Sequence, residues 1–125
     1  MSLLLLSLLL SACGGPQVAD YANGSLTYDS SIWNYNAERM LLVAKKDETC
    51  WVNLTGGNPS DILPGSLTDK DAVVNEGVTL YKTSTGDVPF ASFEKDGNTF
   101  YALTGGMDLS QDLCIGYVSA LANAN

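Results

Sequence analysis

From about residue 20 onward the chain alternates short apolar runs with polar punctuation, and the period is that of β-strands. In residues 78–82, Val78, Leu80 and Lys82 fall on one face and Thr79 and Tyr81 on the other. Residues 90–94 and 99–103 are aromatic-rich runs separated by Lys95-Asp96-Gly97-Asn98. Asp-Gly between two such runs predicts a tight hairpin, because both residues tolerate positive φ. Upstream, residues 25–28 and 32–35 read as short strands. Residues 40–44 and 50–54 flank a polar break at 45–48 and predict a second hairpin. Good helix formers also fill residues 37–46 behind Asn36 as a cap, but strand is the preferred reading there. Residues 69–76 stay open between two forms. Thr68 can cap a helix that Asp69 and Asp71 favour and Gly77 stops, or Val73-Val74 and Asn75-Glu76-Gly77 make a hairpin into the next strand. Residues 114–118 read as a last strand.

The expected fold is therefore mainly β: a small antiparallel β-barrel or sandwich with at most one or two short helices and one disulfide. At 125 residues one compact domain is the ceiling. It is placed at residues 20–120, with 121–125 as a tail.

The N-terminal pattern is of another kind. Leucines at 3–6 and 8–10 form an apolar block broken only by Ser7, too short to span a bilayer and of the length of a signal-peptide core. Leu10-Ser11-Ala12-Cys13 follows directly. This tetrapeptide resembles the lipobox of bacterial lipoproteins, in which leucine, two small residues and cysteine mark the processing site. The resemblance implies that residues 1–12 are a signal peptide, that cleavage falls before Cys13, and that a diacylglyceryl group sits on the Cys13 sulfur. Residues 13–19, with Gly14-Gly15-Pro16-Gln17, then read as a flexible tether. The segment departs from the usual pattern in having no Lys or Arg ahead of Leu3. Acyl chains on Cys13 make a lipid bilayer the first expected partner and place the domain in the cell envelope, outside the cytoplasm.

That reading changes the meaning of the cysteine count. Of three cysteines, lipidation of Cys13 leaves Cys50 and Cys114, and an even pair in an oxidising compartment points to a disulfide. Two cysteines without histidine do not fill a zinc tetrahedron, and no Cys-x-x-Cys spacing marks a redox pair. Neither a metal nor a cofactor is expected.

Charge and composition narrow the function further. Fourteen acidic and six basic residues give a net charge of −8, so no basic footprint for nucleic acid exists. The chain has no histidine, which excludes every mechanism that needs one as base, triad member or ligand. Glycoside hydrolysis needs only two carboxylates, but no spacing selects a pair among the fourteen. Asp69-Lys70-Asp71 and Asn58-Pro59-Ser60-Asp61 begin like calcium-ligand strings without continuing as an EF-hand, and read better as a helix cap and a turn. A non-enzymatic protein is expected.

One internal echo offers a binding edge. Leu54-Thr55-Gly56-Gly57 and Leu103-Thr104-Gly105-Gly106 each close an aromatic-containing run and lead into acidic stretches with Asp61 and Asp108. They read either as two strands that finish in glycine turns, or as equivalent loops at one end of a sandwich or barrel that form a binding edge. Trp33, Trp51, Phe90, Phe93, Phe100 and Tyr117 are expected in the core. Tyr21, Tyr28 and Tyr35, interspersed with asparagines, suit either a recognition surface or edge packing.

Two function classes remain at this stage. The first is a membrane-anchored binding or envelope-associated domain that meets a basic protein or a glycan. The second is an inhibitor of a basic cell-wall hydrolase, similar in architecture to the small lipoproteins that block lysozyme, or a phage- or plasmid-exclusion lipoprotein. The likeness to lysozyme inhibitors is one of size, anchor, disulfide and β-barrel, and extends to no residue motif.

Overall fold

The computed structural model describes residues 15–21, 24–55, 72–83, 85–105 and 110–124. Among these, strands β1 (Pro16–Tyr21) and β2 (Gly24–Asp29) pair with each other. Strands β3 (Trp33–Asn36), β4 (Leu41–Ala44), β5 (Asp47–Asn53), β6 (Ala72–Asn75), β7 (Val78–Tyr81), β8 (Phe90–Lys95) and β9 (Asn98–Thr104) form one antiparallel sheet. Its order is β3-β4-β5-β9-β8-β7-β6. One helix is described, α1 (Gln111–Ala122), which follows β9. Among the described residues the fold is mainly β with one short helix, as expected. Of the two architectures expected, the sandwich-like one is adopted: β3 and β6 are opposite edges of the sheet, which does not close into a barrel.

Local chemistry explains the hairpins. Asp96 and Gly97 sit at φ of 53° and 81° between the paired residues Lys95 and Asn98. Glu76 and Gly77 do the same at 50° and 81° between Asn75 and Val78. Two consecutive positive φ values match the right-handed twist of the flanking strands. The hairpin reading of residues 72–77 is thus the correct one, and a helix there is excluded by β6.

Alternation then sorts the side chains. Trp33, Leu42, Cys50, Val52, Val78, Leu80, Ala91, Phe93, Phe100 and Ala102 share one face of the sheet and are buried. The second layer on this face comes from α1 and the β1–β2 hairpin, which contribute Ala19, Leu26, Cys114, Ile115, Val118 and Leu121. The tyrosines turn out to be part of this packing. The Tyr21 ring meets Phe100 edge-on at 5.3 Å, Tyr28 lies 6.2 Å from Tyr35, and the Tyr35 hydroxyl donates to the Asp20 carbonyl at 2.7 Å. Burial is the main cause that raises the Tyr28 hydroxyl above its ordinary pKa, with Tyr35 adding to it. At the end of β2, the Asp29 carboxylate accepts from the hydroxyl and the N–H of Ser31 at 2.6 and 2.9 Å. Those bonds hold it below the usual carboxylate range.

Three boundaries differ from the sequence reading. The segment expected to be a tether through residue 19 enters the fold at Pro16, where β1 begins. The expected last strand at 114–118 is instead the middle of α1, which runs on through the expected tail to Ala122. Its buried residues Cys114, Ile115, Val118, Ser119 and Leu121 follow helical spacing, which a five-residue window conceals. Ser110 caps α1 by accepting from the Leu113 N–H at 3.2 Å, and Asp112 occupies the first turn. No basic residue lies in the last turn; Lys95, at the β8–β9 hairpin, donates to the Ala124 carbonyl just beyond it.

Gly105 ends β9 at φ +62°, and a Cβ there would stand 2.7 Å from Thr49 Oγ1 and 3.0 Å from the Thr49 carbonyl oxygen. Backbone cannot withdraw as a flexible side chain can. Gly105→Ala is expected to cost about 2 kcal/mol in urea unfolding, from the strained φ and the clash together.

Candidate functional site

The sheet face turned away from α1 carries a row of side chains set by register. Asn34 pairs with Val43, Val43 with Trp51, and Trp51 with Leu103. One step along, Asn36 pairs with Leu41. All of these positions except Leu103 line an open cleft of about 730 Å³ whose floor is Leu41, Val43 and the half-buried Trp51. Asn34, Asn36, Arg39 and Glu48 supply the polar groups around it. The volume falls in the range of roughly 300–1,000 Å³ typical of small-molecule sites.

Each polar group is presented by a local device. Asn34 and Asn36 alternate with Trp33 and Tyr35 along β3, so the aromatics face the core side and the amides the cleft. Arg39 sits in the four-residue turn between β3 and β4. There its N–H donates to Asn36 Oδ1 at 3.0 Å, and Met40 takes φ 54°. Glu48 lies where the β4–β5 register shifts between Val43 and Ala44, a bulge that re-aims side chains. Buried Asp47 steadies that stretch, its carboxylate accepting from the Thr49 N–H at 2.8 Å and hydroxyl at 2.6 Å.

The cleft is not internally satisfied. The side chains of Asn34, Arg39, Glu48 and Trp51 make no hydrogen bond or ion pair with another described residue. Among the described residues, Arg39 and Glu48 give the lining one charge of each sign.

The residues singled out from sequence fare differently. Cys50 and Cys114 are bonded, with Cα atoms 5.9 Å apart, joining β5 to the first turn of α1. Cys13, Gly56, Gly57, Asp61, Gly106 and Asp108 lie outside the described residues. Gly105 is described, and β5 and β9 run antiparallel, with Cys50 opposite Thr104 and Asn53 opposite Tyr101. Thr55, the last described residue before Gly56, therefore sits at the end of the sheet opposite Gly105. The two strand ends do not share a rim. A second, smaller cleft of about 420 Å³ lies between α1 and β7, but its Glu76 carboxylate already accepts from Ser119 at 3.0 Å.

No family model, curated protein or solved structure matches the chain. Its chemistry must be read from its own side chains.

Sequence reasoning missed the cleft because it placed Trp51 in the core with Trp33. Part of the signal was present: Cys50-Trp51-Val52-Asn53 alternates, which sets Trp51 on the face opposite Cys50. Asn34 and Asn36 follow from the same rule. Arg39 and Glu48 depend on turn and bulge geometry and carry no comparable signal.

Proposed function

We propose that the protein is a bacterial envelope lipoprotein, tethered to a membrane through lipidated Cys13, whose domain outside the cytoplasm is a non-enzymatic binding module. The observation that carries this reading is the division of the cysteines. Two of three are oxidised to one another, and the third stands directly behind the apolar block in the Leu-Ser-Ala-Cys tetrapeptide. A disulfide suits an oxidising compartment, and a lone cysteine at that depth suits lipid attachment. The open cleft, with its mixed polar lining, supports binding as the role of the domain.

The test is fractionation of Cys13→Ala against the unaltered chain, with labelled palmitate supplied to the cells. The unaltered protein is expected in the membrane pellet and labelled, and Cys13→Ala unlabelled. A Cys13→Ala variant that still takes up label would overturn the lipid assignment.

A further inference from the structure

We infer that the β3–β4–β5 cleft is a carbohydrate site that takes an extended, uncharged oligosaccharide of equatorially linked pyranose rings, with Trp51 as its stacking platform. The inference rests on the reading of the domain as a binding module and names the ligand class of that module.

The argument is one of matching chemistry. A pyranose ring has an apolar face of C–H groups and an edge of hydroxyls, so its site needs an aromatic plane beside planar hydrogen-bonding groups. Trp51 supplies the plane, set between Val43 and Leu103 on the neighbouring strands. Asn34 and Asn36 supply carboxamides that donate and accept at once, Arg39 a fork of donors, and Glu48 acceptors. Asn36 already spends its Oδ1 on the Arg39 N–H, which leaves its amide hydrogens turned to donation. Asn34, Arg39 and Glu48 have no side-chain partner among the described residues, and a polyhydroxyl ligand would supply one.

The same lining disfavours the other ligand classes. A phosphate or sulfate ester needs concentrated positive charge, whereas Arg39 is opposed by Glu48 in the same cleft. A purely apolar ligand would strip water from four polar side chains without replacing their hydrogen bonds. A cationic peptide would meet Arg39. A neutral sugar satisfies all of them. The cleft is open and runs across three strands, so it suits the flat ribbon of β-1,4-linked rings better than the curl of α-1,4-linked ones.

Purified full-length protein in a zwitterionic detergent, free of sugar headgroups, is titrated calorimetrically with cellotetraose, chitotetraose and maltotetraose at millimolar concentrations. Binding of cellotetraose or chitotetraose, tighter than that of maltotetraose, is expected. Preference for chitotetraose assigns the ligand to N-acetylated wall-type glycans, and equal binding to the hydroxyl pattern alone. Trp51→Ala is expected to weaken binding about tenfold or more, and Asn34→Ala, on the exposed edge strand, about threefold. Circular dichroism and the intact disulfide check that each variant is folded. Absence of binding to both β-linked tetraoses, or binding that neither variant weakens, overturns the inference. Membrane fractionation of the same preparations reports on the anchor independently, so failure of the sugar site and failure of the lipoprotein reading are told apart.

Discussion

Replacing both Cys50 and Cys114 with alanine is expected to lower the unfolding free energy by about 4 kcal/mol, before any contribution from the cavity left behind. The bond spans 64 residues of sequence, and in the chain-entropy treatment a loop of that length strongly restricts the unfolded ensemble. Its position adds to the effect. Cys50 lies on β5, beside β9 near the middle of the sheet, and Cys114 in the first turn of α1, and both are fully buried. Without the bond, α1 is held by Ile115, Val118 and Leu121 in the core, by Ser119 to Glu76, and by Lys95 at its C-terminal end. Those contacts keep the helix docked in the native state, so the structure survives while the reference state gains freedom. Urea unfolding is the check. The midpoint should fall and the slope should rise, because an uncrosslinked chain exposes more surface when it opens. For a domain of this size the thermal midpoint should drop by roughly 15 °C. A loss below about 1 kcal/mol would mean that the unfolded chain stays compact without the bond.

What the sequence disclosed follows the range of each interaction. The Asp96-Gly97 hairpin was readable because positive φ at two adjacent residues is a local demand. The disulfide was readable by counting, once Cys13 was set aside. Strand β1 was not, because Pro16-Gln17-Val18-Ala19-Asp20-Tyr21 is half polar and only Ala19 of the six is buried. Its strand character comes from pairing with β2 and from the Tyr21 ring against Phe100, neither of which a window of six residues contains. The helix was mistaken for a strand because Ile115, Tyr117 and Val118 are strand formers and a five-residue window conceals helical spacing. Gly116 costs a helix about 1 kcal/mol relative to alanine, and tertiary burial of its neighbours outweighs that. The cleft was half legible. Alternation alone puts Asn34, Asn36 and Trp51 on one side of their strands, but which side faces water depends on where α1 docks, and α1 was the element misread.

The same dependence on a distant partner makes Phe100 a consequential side chain for the core. It is 1% exposed, stacks on its cross-strand partner Phe93 at a centroid distance of 5.1 Å, and receives the edge of Tyr21 at 5.3 Å. Tyr21 is also held from the β8–β9 hairpin, where Asn98 donates to its hydroxyl at 3.1 Å. Phe100→Ala removes the platform that joins the β1–β2 hairpin to the large sheet, and is expected to cost about 4 kcal/mol. The loss has two parts that separate by experiment. Cavity formation between the layers lowers global stability and appears in the urea midpoint. Release of Tyr21 acts locally, so amide exchange in β1 and β2 should accelerate more than in β7 and β8. A double-mutant cycle with Tyr21→Ala isolates the ring pair, with a coupling of about 1 kcal/mol expected. If exchange rises equally in every strand and the coupling is zero, the hairpin is held by Ala19 and Leu26 rather than by the aromatic contact.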